Sequence, residues 1–112
     1  MAEEQMWRDD LGWIKVKARD PVEEESVGYN RYILRILHVE TEEGRGFMPS
    51  VSICDVKLAD GRVHLGLGQL EYGQAFIEGM AMFHKYVKEA CDTLCRNVSL
   101  RVEMAKEMAG GK

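Results

Sequence analysis

Proline, cysteine and histidine are scarce in this chain, and a basic excess is missing. Of 112 residues, two are proline, three are cysteine and three are histidine, and the formal charge is −4. An acidic balance argues against a generic nucleic-acid binder, because phosphate neutralisation needs Lys and Arg in surplus. No run approaches the ~20 apolar residues of a membrane span. The opening "MAEEQMWRDD" has no apolar stretch behind a basic start, so no signal peptide is expected. An odd set of thiols, Cys54, Cys91 and Cys95, with no secretory signal points to reduced cysteines and a cytoplasmic setting. The sequon at Asn97–Ser99 carries no meaning in that setting.

What is present is ordinary for a globular chain: 46% hydrophobic and 30% charged residues. The length fits one domain spanning 1–112, in which roughly two-thirds of the unfolded surface is buried on folding. Residues 1–10 are expected to fray, and 109–112 to form a flexible tail.

"WIKVK" alternates, with Ile14 and Val16 on one side and Lys15 and Lys17 on the other, as in a half-buried strand. "RDPVEEESVG" reads as a solvated acidic loop. "RYILRILHVE" is the strongest strand signal. Tyr32, Leu34, Ile36 and His38 share one face, and Arg31, Ile33, Arg35, Leu37 and Val39 the other. Neither face is purely polar, so a central strand covered on both sides is expected. "TEEGRGFMPS" reads as a loop and "VSICDVKL" as the third strand. Asp60-Gly61 reads as a hairpin turn into a fourth strand, "RVHLGL". Val63, Leu65 and Leu67 point one way there, and Arg62, His64, Gly66 and Gly68 the other.

From Glu71 the period becomes helical. Phe76, Met80, Phe83, Val87, Ala90 and Leu94 form one apolar stripe. Beyond Arg96, "NVSLRVEM" alternates like a fifth strand, whereas "RVEMAKEMA" has high helix propensity; continued helix is favoured. A helix over 71–108 is about 57 Å long, against ~20 Å for a six-residue strand. It overhangs its own sheet, and its uncovered stripe calls for a second copy. The expected fold class is therefore α+β: a four- or five-stranded antiparallel meander with one long C-terminal helix packed across it, assembled as a homo-oligomer.

With the helix on the face of Leu34, Ile36, Val63 and Leu65, the opposite face carries Arg31, Arg35, Arg62, His64, Gly66 and Gly68. Arginines pair with phosphates or carboxylates. Glycines admit close approach, and a helix N-terminus favours an anion. The competing reading is structural: Gly-x-Gly at a strand end more often marks a bulge or a sharp exit. The spacing fits neither a dinucleotide fingerprint nor a phosphate-binding P-loop. Gly73 and Gly79 read as close-packing positions against the sheet. His84, Cys91 and Cys95 share a helix face and with Cys54 make a conceivable Cys₃His zinc set. The wide cysteine spacing favours packed thiols instead, so no metal and no cofactor are expected. No serine or cysteine pairs evidently with a histidine and a carboxylate, so no enzyme is expected.

The strands followed by the long helix are similar in outline to the positive-cofactor family of single-stranded-DNA binders. That resemblance is one of topology and implies no residue roles. It implies nucleic acid as an alternative ligand, which the acidic balance and the lack of aromatic–basic interleaving on the strands disfavour. The reading preferred from the sequence is a non-enzymatic homo-oligomer that sequesters a small anion, such as a nucleotide, between subunits. Virus-encoded sponges and inhibitors have comparable size. A second reading is a protein inhibitor or adaptor using acidic loops 22–25 and 40–43 to meet a basic partner. No membrane is involved in either.

Overall fold

The computed structural model describes residues 4–9, 12–17 and 20–110. Among them are seven strands and one helix: β1 (Glu4–Asp9), β2 (Gly12–Lys17), β3 (Glu23–Val27), β4 (Asn30–Thr41), β5 (Gly44–Ile53), β6 (Val56–Asp60), β7 (His64–Leu65) and α1 (Gln69–Gly110). The strands form one curled antiparallel sheet with the long C-terminal helix packed against it, an α+β fold.

The β4–β5 hairpin is the spine. Its turn is short because the Thr41 hydroxyl organises it. That oxygen accepts the N–H groups of Glu43 and Gly44, at 3.0 and 3.1 Å, and donates to the Gly44 carbonyl at 2.9 Å. Four shorter segments share the two edges of this hairpin. β2 pairs with the late half of β4, and β3 with its early half. On the other side, β6 pairs with the end of β5 and β7 with its start.

Several sequence expectations are corrected here. Glu4–Asp9, expected to fray, forms β1 and pairs with β2; residues 1–3 lie outside the described set. The acidic "loop" contains β3, an edge strand whose Glu23, Glu24 and Glu25 are all exposed. An edge strand needs only its backbone to pair, and charge on it discourages further strands from docking. "TEEGRGFMPS" is mostly β5, not loop. Pro49 sits within it opposite Ile36. Its carbonyl accepts from Gly61 N–H at 2.8 Å. A residue's N and C=O point to the same side of a strand, so the missing N–H faces away from β4, and no rung of that ladder is lost. The hairpin turn after β5 is Cys54-Asp55, with Cys54 at φ 53°, rather than Asp60-Gly61. "RVHLGL" contributes only His64 and Leu65, which pair with β5 and not with β6.

Both faces of the sheet bury apolar side chains. One cluster joins Val27, Tyr32, Leu34, Ile36, Phe47 and Val51 to Ala75 and Phe83 of α1. The other joins Ile14, Val16, Leu37, Val39 and Met48, with Val63 packed against it. Val63 thus serves the face away from the helix, and Leu65 and Leu67 are exposed rather than under the helix. The central strand is covered on both sides, as its sequence implied.

α1 has 42 residues, about 63 Å at the standard rise, and the longest dimension of the molecule is 69 Å. No fifth strand follows Arg96, because 97–108 continue the helix. Residues 91–110 are exposed throughout. The helix therefore projects well beyond the sheet. None of the described helices is long and apolar enough to cross a membrane.

Candidate functional site at the head of the helix

The six residues singled out from the sequence do not form one face. Arg31 is exposed on the side of the sheet away from α1, 3.7 Å from Glu24. Arg35 shares that side, opposite Ser50 in the register. It lines a depression of about 450 Å³ with Ser52, Lys57 and Asp60. Arg62 lies at the rim between β6 and β7, with its side chain exposed. Its backbone N–H donates to Glu78 Oε1 at 2.9 Å.

His64, Gly66 and Gly68 are on the helix side. His64 Nε2 meets the same Glu78 Oε1 at 2.9 Å, which fastens β7 to α1. The parity argument that set His64 beside Arg35 assumed a β6–β7 hairpin. β7 crosses to the other end of β5 instead, so that parity does not carry over.

The glycines have a specific tenant. Gly66 has φ +123°, and a Cβ there would lie 2.5 Å from Glu71 Oε1. A Cβ on Gly68 would lie 2.8 Å from Glu71 Oε2. The carboxylate of the first helical turn folds back over both glycines. Gly68 C=O then accepts the first helical rung, from Tyr72 N–H at 3.1 Å. A negative side chain there satisfies the positive end of the helix dipole. The protein's own carboxylate thus takes the place imagined for an external anion, and like charge repels a second one.

Cationic side chains converge beside this point. Lys15 and Lys17 of β2, His38 of β4 and Arg45 of β5 line a cleft of about 360 Å³ with Val39, Glu40 and Leu67. Arg45 Nε lies 3.9 Å from Glu40 Oε1, a loose and exposed pairing. His38 and Leu67 also line an adjoining depression with Phe47, Gly68, Gln69 and Tyr72. A row of rings starts in it and continues along α1 to Phe76. His38 and Phe47 are 4.6 Å apart between centroids, Phe47 and Tyr72 5.3 Å, and Tyr72 and Phe76 6.5 Å. The two depressions join a cationic end to an aromatic end.

The register explains the convergence. Lys15 and Lys17 pair with Glu40 and His38, so they share the helix-side face of β4. His38 pairs with Phe47, and Glu40 with Arg45. Sequence reasoning placed Lys15 and Lys17 on one face, and His38 with Leu34 and Ile36. It lacked the β2–β4 pairing and assigned Arg45 to a loop.

Charge separates the two polar depressions. The one at Arg35 balances Arg35 and Lys57 against Asp55 and Asp60, with Lys57 Nζ 2.8 Å from Asp60 Oδ2. Among the described residues, the helix-head cleft is lined by Lys15, Lys17 and Arg45 with Glu40, and Asp20 lines the adjoining depression. Ser52 Oγ and Asp60 Oδ1 in the balanced depression are buried without a hydrogen-bond partner.

The remaining candidates are structural or solvent-facing. Cys54, Cys91 and Cys95 are exposed, not packed as expected. Among the described residues no group of three or more His, Cys, Asp or Glu could hold a metal ion. In comparisons with known proteins, no family model, no curated protein and no solved structure matches the chain.

Proposed function

We propose that the chain is a self-associating, non-enzymatic binding protein. Its head holds a small anionic ligand carrying a flat ring, of the nucleoside phosphate class. The observation that carries this reading is the cleft at the head of α1. Three cations from β2 and β5 and the His38 ring meet beside the Phe47–Tyr72 pair. A phosphate or carboxylate is attracted by Lys and Arg side chains, and a flat ring packs against aromatic faces. In this reading the ligand sits within one head rather than between subunits, and Lys15, Lys17, His38 and Arg45 hold it instead of Arg31, Arg35, Arg62, His64, Gly66 and Gly68. Self-association belongs to the overhanging half of α1, away from the cleft.

Equilibrium binding tests the ligand reading. Nucleoside mono-, di- and triphosphates and inorganic phosphate are titrated into the protein at low and at moderate salt. At least one nucleoside phosphate is expected to bind more tightly than inorganic phosphate, and more weakly as salt rises. The double variant Lys15→Glu, Lys17→Glu is expected to lose at least about tenfold in affinity, the equivalent of ~1.4 kcal/mol. No binding by any of these ligands, or an unaffected double variant, overturns the reading. Affinity that grows with oligonucleotide length would replace it with single-stranded nucleic-acid binding.

A further inference from the structure

We infer that two copies of the chain pair antiparallel through the overhanging half of α1, with Val98 on the two-fold axis. This deepens the self-association part of the proposed function and rests on it. The helix carries Val87, Cys91, Leu94, Val98, Val102, Ala105 and Ala109 at steps of 4, 3, 4, 4, 3 and 4. At 3.6 residues per turn, all seven lie within about 40° of a single line. The repeat is one of eleven residues, which keeps a stripe on one side of a nearly straight helix. That line is about a quarter turn from the one through Ala75, Gly79 and Phe83 that meets the sheet. From Cys91 onward the sheet leaves it open, while Val87 at its root is half-buried against the helix-side core cluster. Leu94, Val98 and Val102 are each more than two-fifths exposed.

The spacing reads the same in both directions from Val98. A two-fold axis there sets Leu94 against the partner's Val102, Cys91 against the partner's Ala105 and Val87 against the partner's Ala109. At each outer layer a small residue stands on at least one side, so the two helices can approach closely.

A second feature, at the root of the overhang, fits the same pairing. A groove of about 720 Å³ opens where α1 leaves the sheet, lined by Tyr29, Leu58, Tyr86, Ala90 and Leu94 among others. Tyr29, at the β3–β4 turn, is fully exposed. At the tip of the helix, Met104 and Met108 are exposed on the same flank as Tyr86 and Ala90. Antiparallel pairing brings tip to root, so the methionines of each copy reach the groove of the other. Unbranched methionine suits such an irregular gap.

Cysteine cross-linking tests the register. In a background carrying Cys54→Ser, Cys91→Ala and Cys95→Ser, Val98→Cys is expected to form a covalent dimer of twice 12.8 kDa on mild oxidation. Leu94→Cys alone is expected to stay uncrosslinked, since its counterpart in the other copy is Val102. Mixing Leu94→Cys with Val102→Cys chains is expected to restore the cross-link. Light scattering on the uncrosslinked protein reports the assembly separately. A dimer in which Leu94→Cys cross-links to itself means parallel pairing. That result overturns this inference while leaving self-association in place, as does a dimer in which Val98→Cys fails to cross-link. A monomer at every concentration overturns both. Val98→Glu is expected to weaken the dimer at least tenfold. Its circular dichroism at high dilution should match that of the parent, because Val98 lies on the overhang, outside both core clusters.

Discussion

The two halves of α1 are equally rich in apolar side chains and have opposite surroundings. Residues 69–90 lie along β4 and β5, and Ala75, Gly79 and Phe83 are buried there. Residues 91–110 are exposed along their whole length. The first half is helical because the sheet rewards it. The second is propagated from an anchored template, and it includes Thr93, Asn97, Val98, Ser99 and Val102, none of them strong helix formers. Lys88–Asp92, at 3.1 Å, bridges the boundary and is exposed, so it adds only a few tenths of a kcal/mol. One continuous helix thus contains a segment stabilised by packing and an exposed segment, for which a second copy is the proposed partner. Substitutions in the two halves should separate accordingly.

The largest effect is expected at Phe83, buried in the cluster with Leu34, Ile36 and Val51. Phe83→Ala should cost about 3–5 kcal/mol in denaturant unfolding, through lost transfer and a cavity. A loss below about 1 kcal/mol would mean that the helix is not docked on the sheet as described.

Next comes Gly79. A Cβ there would lie 2.8 Å from Pro49 Cβ and 2.9 Å from Leu34 Cδ1. Alanine is normally favoured over glycine in a helix, yet Gly79→Ala should destabilise by roughly 1–3 kcal/mol, because both neighbours must shift. At Gly73, six residues earlier on the same helix, an added Cβ would meet nothing within 4 Å. Gly73→Ala should stabilise by up to about 1 kcal/mol. Opposite signs from one chemical change would sharpen the contrast between the buried line of α1 and its open faces. The same sign at both positions would break it.

These glycines also show what the sequence disclosed. The antiparallel sheet, the long C-terminal helix and its overhang were legible, because a 3.6-residue apolar period and strand alternation are strong signals. The buried line of the helix was not. Large side chains mark a stripe through Phe76, Met80 and Leu94, but Phe76 and Leu94 are more than a third exposed. The buried line runs through Ala75 and Gly79, small residues, and at Gly79 Leu34, Ile36 and Pro49 of the sheet fill the space a side chain would need. Strand β3 was hidden because an edge strand shows no apolar alternation. The cleft at the helix head was hidden because it depends on which strand lies beside which. Lys15 and Lys17 gain their meaning from pairing with β4, and Arg45 from being in β5 at all. Conversely, the Gly66–Gly68 stretch suggested an anion site, and its conformation serves Glu71 of the same chain.

The smallest effect is expected at Leu100, and it bears on the overhang alone. Leu100 is 56% exposed and lies close to the side of the helix opposite the Val98 line. If the overhang were an indiscriminately sticky rod, Leu100→Ser would loosen self-association as much as a change at Val98. If only the Leu94–Val98–Val102 line is covered, Leu100→Ser should leave the dimer within about twofold of the parent. Monomer stability should then change by less than ~0.5 kcal/mol, the usual range for an exposed surface site. Sedimentation over a dilution series, run on Leu100→Ser beside Val98→Ser, distinguishes the two. Equal weakening would mean that the exposed apolar surface acts by amount alone. Weakening confined to Val98→Ser would mean that it acts by position, as a directed interface must.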